Sequence, residues 1–493
     1  MLPALDFVRI HMVFLGDGSA AVWEENRLYR PVNGALERRL LDITGPKGVF
    51  TDEETREKYS RDETIGLSHR PEVVAKPATA SEAVEIIRLA HTENVPVTPR
   101  GLGTGLSGGA IPLYGGILLS CERMDRIIEI DRENLMVVTE PGIITGQLHQ
   151  AVEAEGLFYP PDPASYESCS IGGNVAEGAG GTRAVRYGTT KDYVSGLEMV
   201  LPSGAMLQTG GKVVKDVTGY NLTQLIIGSE GTLAVVTEIT LRLIPLPQER
   251  VDLLVPFPSM ESAARTVSEI IGARIVPTAI EFMERSCFGL AETFIKRKLP
   301  FREMAAHLLI TLDGNHPEAV AGSRDRIGEI CERNGASDVL VATTPTARLR
   351  MWEGRKCLFE AANHVGGMYK SLDVVVPRSR IPTLLVKIQA ISDQHRIQAM
   401  SFGHAGDGNV HVLLFKGELP EPVWEEAIDV TQREIYRETI RLGGRITAEH
   451  GIGLLRKPYL TMNLGSTQVE LLKSLKQAFD PKNILNPGKI FDL

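Results

Sequence analysis

In the segment SFGHAGDGNVHVLLF, His404 and His411 flank Gly406-Asp407-Gly408-Asn409, a strong turn signal. A turn between two strand ends lets both imidazoles face one point. Downstream, RITAEHGIGLLRK places Glu449 beside His450, so two histidines and a carboxylate could fill part of a divalent-metal shell. Gly451 and Gly453 leave space close to the backbone. On spacing alone, hydrogen-bonded structural histidines remain an open alternative. Between these groups and the chain's midpoint, MWEGRKCLFEAANHVGGMYKSLDVVVP carries Arg355 and Lys370. Arg presents a planar fork that matches a carboxylate bidentately, and Lys adds a point charge; surface cations beside a helix are the plainer reading of both.

A second kind of chemistry lies in the glycines, of which 23 of 48 fall between Gly101 and Gly231. That is nearly twice an even share, so something there needs bare backbone. In PRGLGTGLSGG, glycines 101, 103, 105, 108 and 109 make a helix improbable. They could turn successive N–H groups inward as a nest for a pyrophosphate, with no Cβ in the way. Gly103, Gly105 and Gly108 also read as Gly-x-Gly-x-x-Gly, which in a dinucleotide fold must open a helix. The next residues are AIPLYGGI, with Pro112, Gly115 and Gly116, and the dinucleotide reading is rejected. Taken alone, the loop could also be a glycine-rich surface turn.

It is followed by PPDPASYESCSIGGNVAEGAGGTRAVRYGTT, with its own cluster at Gly172, Gly173, Gly178, Gly180 and Gly181, and then by DVTGYNLTQLIIGSEGTLAVVTEITLRLIP. From about His69 to Pro247 the order and spacing of these stretches resemble the FAD-binding domain of the vanillyl-alcohol oxidase type, the PCMH-type flavin fold. The resemblance implies an FAD whose pyrophosphate lies on Arg100, Gly101, Leu102, Gly103, Thr104, Gly105 and Leu106. It implies further contacts from Pro161, Ser165, Gly172, Gly173, Asn174, Tyr187, Gly188, Glu230, Gly231 and Val236. The closing Asn486-Pro-Gly-Lys-Ile resembles the family's C-terminal return to the flavin domain. Some members bond the flavin covalently through His or Cys. Here Leu102 and Leu106 stand in the first loop, and Cys169 sits where close relatives often have an unbonded Cys. Noncovalent FAD is therefore expected, with Cys169 a small buried apolar residue.

GHAGDGNVH and AEHGIG resemble the signature of the group containing the glycolate oxidase subunit, D-lactate dehydrogenase and D-2-hydroxyglutarate dehydrogenase. That resemblance implies a divalent metal, typically zinc, on His404, His411 and Glu449, with His450 as base and Arg355 and Lys370 on the substrate carboxylate. Where hydroxyglutarate enzymes have Thr and Asn, this chain has Phe359 and Leu413, which points away from a dicarboxylate toward lactate, glycolate or a larger apolar 2-hydroxy acid. The expected activity is FAD-dependent oxidation of a D-2-hydroxy acid to the 2-oxo acid. Two rivals are a non-catalytic flavin electron-transfer subunit, which would not need the His404, His411, Glu449, His450 set, and a redox-neutral transferase of the alkylglycerone-phosphate synthase kind. A third is an oxidase using oxygen.

The elements that must position these groups are legible in outline. Thr79 or Ser81 could cap an amphipathic helix to Thr92, followed by a strand at 95–97 and the glycine loop. GGILLS, the run from Ile127 to Glu140, SGLEMVLP and GTLAVVTEITLRLIP read as strands, and QLHQAVEAEG as a helix stopped by Gly156. Prolines 245 and 247 mark a boundary, after which helical patterns such as MESAARTVSEIIGA alternate with strands such as HLLITLDG. VWEEAIDVTQREIYRETIRLGG is a long amphipathic helix. The fold class expected is α+β: an N-terminal segment over 1–66, a PCMH-type FAD-binding domain over 67–247, an α/β substrate (cap) domain over 248–422, and a helical segment over 423–493 that closes on the FAD domain.

The 493 residues carry 53 Lys plus Arg against 62 Asp plus Glu, a net charge of −9. That balance, without a basic stripe, argues against a nucleic-acid partner. The opening MLPALDFVRIHMVFLGDG is broken by Asp6, Arg9, His11 and Asp17 and lacks a basic leader. It reads as neither signal peptide nor spanning helix, and a cytoplasmic protein is expected. Five scattered cysteines with no CxxC pair argue against an iron–sulfur cluster on this chain. Electrons are thus expected to leave through a partner such as an electron-transferring flavoprotein or an iron–sulfur subunit.

Overall fold

The structure is a computed structural model and describes residues 28–365 and 367–493. The opening apolar stretch, and with it the reading of a leader or span, lies outside the described residues. Strands Val73–Ala75, Ile117–Ser120 and Val97–Arg100 form a parallel sheet, with Val49–Phe50 antiparallel at its edge. Helix Ala80–Glu93 delivers the chain to it: Thr79 accepts the Glu82 N–H at the start, and Asn94 ends it in the left-handed conformation. Its apolar stripe of Ile86, Ile87, Leu89 and Ala90 packs on Val73, Val97 and Ile117, each large side chain contributing about 1.5–3 kcal/mol. The following strand starts at Val97 rather than 95. Pro96 has no N–H to give, and its carbonyl accepts from Ile117. No helix follows the first glycine loop, in keeping with the rejection of a dinucleotide fold.

The second sheet is antiparallel, in the order Ile127–Asp131, Met136–Thr139, Val235–Arg242, Val194–Val200, Met206–Gly210. The run read as one strand from Ile127 to Glu140 is a hairpin. Asp131 caps its turn by accepting the Asn134 N–H at 3.0 Å, and Leu135 takes a positive φ. The second glycine cluster opens a short helix, Ile171–Glu177, whose N-terminus Ser170 caps and whose end left-handed Gly178 sets.

A third sheet of seven strands runs Leu340–Ala342, Glu249–Phe257, Ala306–Gly314, Ala279–Glu284, Gln398–His404, Asn409–Phe415, Tyr369–Val375. Helices and strands alternate along this part of the chain as expected, yet every ladder is antiparallel. Helices cover both faces. Helices Met260–Gly272, Pro317–Arg333, Ile381–Gln394 and Glu421–Arg441 pack on the face of Leu253, Val255, Leu372, Val410 and Val412. Helices Arg285–Ile295, Pro345–Lys356 and Leu358–Val365 cover the other, with Leu309, Met400, Phe402 and Leu413.

The C-terminal segment returns to the first sheet. Leu485 forms a parallel bridge with Val97, Asn486 Nδ2 donates to the Gly109 and Glu230 carbonyls at 3.0 and 2.7 Å, and Lys489 Nζ donates to the Ile111 carbonyl. The end of the chain thereby ties the first glycine loop to the turn at Glu230.

Candidate active site and flavin cavity

The hairpin of Gln398–His404 and Asn409–Phe415 sets the two histidines, and its turn is made by the residues the sequence marks. His404 Nε2 and His411 Nε2 stand 3.3 Å apart. Glu449 Oε1 lies 3.5 Å from the first and 3.6 Å from the second. A metal about 2.1 Å from each of three donors in a tetrahedral shell needs donor separations of about 3.4 Å. The spacing of the triangle matches three vertices of such a shell.

A carboxylate lies behind each imidazole. His404 Nδ1 is 2.6 Å from Glu281 Oε1, the usual support for a ligating histidine, whereas His411 Nδ1 is 3.5 Å from Asp373 Oδ1 and makes no hydrogen bond. Burial would lower the His404 pKa, but Glu281 and Glu449 outweigh it and hold it well above the ordinary value. Burial and the neighbouring His404 press His411 well below. Burial acts to raise Glu449, and the His404 hydrogen bond with the histidine charges overcomes it, leaving the carboxyl at about 2.

Asp373, His411, Glu449 and His450 also converge, with donor atoms within 4.8 Å of one another. Asp373 is, however, already committed. Its Oδ1 accepts from Asn409 Nδ2 at 2.8 Å, and its Oδ2 accepts from Thr447 Oγ1 and the N–H groups of Ala448, Glu449 and His450 at 2.8–3.0 Å. The His404, His411, Glu449 triangle is spaced for the same purpose and leaves Asp373 to its hydrogen bonds. His450 stacks on His411 at 5.3 Å between centroids and 12° between planes, and its Nδ1 is buried without a hydrogen-bond partner.

These groups open on a cavity of about 920 Å³ that runs to the glycine loops. Its wall includes Arg100 through Leu106, Ser165, Gly172, Gly173, Asn174, Glu230, Gly231 and Val236, with Arg355, His404, His411, Glu449 and His450 at the far end. None of the six backbone N–H groups from Gly101 to Leu106 donates a hydrogen bond to another described residue. A row of free donors is what a pyrophosphate requires. Close packing around the cradle also requires bare glycine: a Cβ on Gly101 would clash with Ser170, and one on Gly172 with Pro141. The residues thus fit FAD. Gly180, from the second cluster, has a different task, because a Cβ there would lie 2.5 Å from Glu449 Oε2.

Four expected flavin contacts do not line this cavity. The Pro161 carbonyl is taken by His149 Nε2 at 2.9 Å. The Tyr187 hydroxyl donates to Asp313 Oδ1 at 2.8 Å, joining the flavin side to the seven-stranded sheet. Gly188 turns the chain at a helix end with φ 83°, and Asn486 supports the loops from behind. Cys169 is buried with its Sγ 3.3 Å from Thr145 Oγ1.

Lys370 requires correction. Side chains alternate along a strand; Tyr369 and Asp373 share the face of Phe415 and His411, whereas Lys370 pairs with Leu414 on the opposite face. There its charge faces Asp429 and Arg456, so it cannot hold a substrate in the cavity. Arg355 does reach the cavity, but its Nη2 is 2.8 Å from Glu281 Oε2 and its guanidinium lies over Phe402. Nε remains buried and unpartnered.

Sequence reasoning missed Glu281, Asp373 and Glu177. The first two sit inside strands among apolar neighbours, and a charged residue in such a run was the available signal. Burial, with Glu230 and Asp62 nearby, holds the Glu177 carboxyl well above its ordinary pKa. Lys356 and Arg348 add cations to the wall.

Residues 71–210 match the FAD binding domain family, and residues 246–490 match the C-terminal domain of FAD linked oxidases. The chain is 40% identical to the glycolate oxidase subunit GlcD of Bacillus subtilis, over 92% of this chain and 96% of that one. It is 38% identical to a D-lactate dehydrogenase of Anaerostipes hadrus, over 94% and 98%. Among solved structures, alkyldihydroxyacetonephosphate synthase aligns with a TM-score of 0.75 at 19% identity, covering 94% of this chain and 87% of that one. p-Cresol methylhydroxylase aligns at 0.74 and 17%, covering 92% and 96%. At those identities the structural likeness bears on the fold, which is of the PCMH type.

Proposed function

The chain belongs to the FAD-linked oxidase family that includes glycolate oxidase subunits and D-lactate dehydrogenases, and from this premise we propose that it oxidises a D-2-hydroxy acid of the lactate or glycolate kind to the 2-oxo acid. One observation carries the reading: a three-donor triangle and His450 open on the same cavity as the row of free N–H groups. In this reading residues 67–247 hold FAD noncovalently, 248–422 supply the substrate wall, and 423–493 bring Glu449 and His450 across. His404, His411 and Glu449 hold a divalent ion, with zinc the first candidate because its preferred shell is tetrahedral with nitrogen and oxygen ligands.

Bound FAD would supply the two-electron acceptor, and the ion a Lewis acid that acidifies the α-hydroxyl. The chain's own work is positional. Arg355, whose guanidinium side chain reaches the cavity wall, orients the carboxylate. His450 takes the hydroxyl proton, its Nδ1 4.0 Å from Asp373 Oδ2 and its Nε2 on the Glu449 side. Phe359, edge-on to His411 and His450, closes the wall against water.

Electrons then pass to an external acceptor, an electron-transferring flavoprotein or an iron–sulfur subunit. No helix among the described residues is long and apolar enough to cross a membrane. All five cysteines are free and buried, which suits the reducing cytoplasm we propose. Anaerobic titration of the purified protein with D- and L-2-hydroxy acids tests the activity. A D-acid should bleach the flavin and yield the 2-oxo acid, and dyes should accept the electrons where NAD does not. Absence of bleaching by every acid would favour the redox-neutral transferase, and fast turnover on oxygen alone the oxidase.

A further inference from the structure

The segment 447–453 carries both Glu449 and His450, yet it is neither helix nor strand, so something else must fix it. Two buried carboxylates do, from opposite sides. Asp373, on the seven-stranded sheet, gathers the Thr447 hydroxyl and the N–H groups of Ala448, Glu449 and His450 on the single oxygen Oδ2, at 2.8–3.0 Å. Glu230, from the flavin side, accepts the Ile452 N–H on Oε1 and the Gly453 N–H on Oε2, each at 2.7 Å. Glu230 itself sits at φ 52° and is held there by Asn486, which donates to its carbonyl. Between the two clamps Gly451 has φ 75°, and a Cβ on it would run into Glu177 and Glu230. Six donors on seven consecutive residues thus go to two carboxylates, one on a strand of the seven-stranded sheet and one in the turn that precedes strand Val235–Arg242.

We propose that Asp373 and Glu230 are positioning residues that set His450 and Glu449 against the flavin. Asp373 registers the loop to the histidine hairpin, since its other oxygen holds Asn409 and faces His411. Glu230 registers the same loop to the glycine cradle. The catalytic part of this inference rests on the reading of His450 as base; the clamp itself rests on hydrogen bonds alone. A carboxylate is needed at both places because an amide would present a donor to an array of N–H groups.

Hydrogen exchange on the FAD-loaded protein, resolved over residues 447–453, tests the clamp. Asp373→Asn should speed exchange at 448–450 about tenfold or more and leave 452–453 nearly unchanged; Glu230→Gln should do the reverse. In single-turnover flavin reduction each variant should lower the limiting rate about tenfold to a hundredfold, the worth of a displacement near 1 Å. Half-saturating substrate should stay within about threefold, because ground-state binding is untouched. Thr447→Val removes one donor and spares the fold if Asp373→Asn does not accumulate; it should move both readouts in the same direction by a smaller factor. Unchanged exchange in these variants overturns the clamp. Faster exchange with a wild-type limiting rate overturns the positioning role. A wild type that no 2-hydroxy acid reduces would remove the functional reading and the catalytic part with it, while exchange still decides the clamp.

Discussion

Arg355 and Glu281 form a buried ion pair, Nη2 to Oε2, at 2.8 Å. Glu281 turns its other oxygen to His404 Nδ1, so one carboxylate serves both the cation expected to bind substrate and a histidine expected to bind metal. A change at Arg355 will not stay confined to substrate affinity.

Arg355→Ala should raise KM for every 2-hydroxy acid by about tenfold or more, the worth of a lost charge-assisted hydrogen bond. It should also destabilise the fold, by up to about 3–5 kcal/mol, because buried Glu281 loses one of its two cationic partners and keeps only His404. Denaturant unfolding beside steady-state kinetics checks both. A rise in KM with unchanged stability would mean that Glu281 takes up a proton or another partner at no cost.

The contrast between Arg355 and Lys370 shows how far the sequence could be read. Both are cations in one promising stretch, and only strand alternation separates them: Lys370 lies on the face of Leu414, away from His411. The histidine hairpin was legible because its turn residues are local. Helix Ala80–Glu93 was legible for the same reason, its caps and apolar stripe lying within one window. Asp373 and Glu281 were not, because their partners are up to 123 residues away and nothing local says that a strand carboxylate will be saturated. Glycine density located the cradle, but it could not separate Gly101, which packs against Ser170, from Gly180, which makes room for Glu449.

His404→Ala should lose the divalent ion and keep FAD, since the two sites draw on different elements. Gly180→Ala offers a second route to the same loss. Its Cβ would lie 2.5 Å from Glu449 Oε2 and push the carboxylate out of the triangle. Elemental analysis with flavin absorbance should show less metal at equal flavin in both variants. Full metal occupancy in both would send the ligand assignment back to Asp373 and His450.

His450→Asn should retain FAD and metal and slow flavin reduction by roughly 10²–10⁴, the range of a lost general base. Stopped-flow reduction under anaerobic conditions gives the rate directly. An unchanged single-turnover rate would move the base to another group in the cavity wall.

Glu284 gives a pH dependence away from the reacting groups. Burial pushes its carboxyl up to about 7, against the lowering effect of the Ser401 N–H, which donates to Oε2 at 2.9 Å. The folded pKa lies above the unfolded value of about 4.3. The protonated form therefore contributes stability that is full below that value and is lost as pH rises through 7. Glu284→Gln should flatten unfolding stability across that window and raise it at pH 8, by no more than about 3 kcal/mol. Equal pH slopes in the two proteins would show that the carboxyl is solvated.

Phe359 lines the cavity into which the proposed substrate would enter. Its ring stands edge-on to Phe402 at 5.2 Å, to His411 at 5.5 Å and to His450 at 6.2 Å, so it walls the cavity beside the proposed base. An aromatic wall favours a small or apolar side chain and offers nothing to a second carboxylate. Phe359→Thr would vacate a ring's volume and place a hydroxyl where the ring edge was. For lactate, kcat/KM should fall about tenfold, as the apolar contact is lost and water enters. Acids with a longer or polar side chain should gain relative to lactate, read as a ratio of kcat/KM values across a homologous series. A fall of equal size for every acid would place Phe359 in the support of His450 instead of in the selection of substrate.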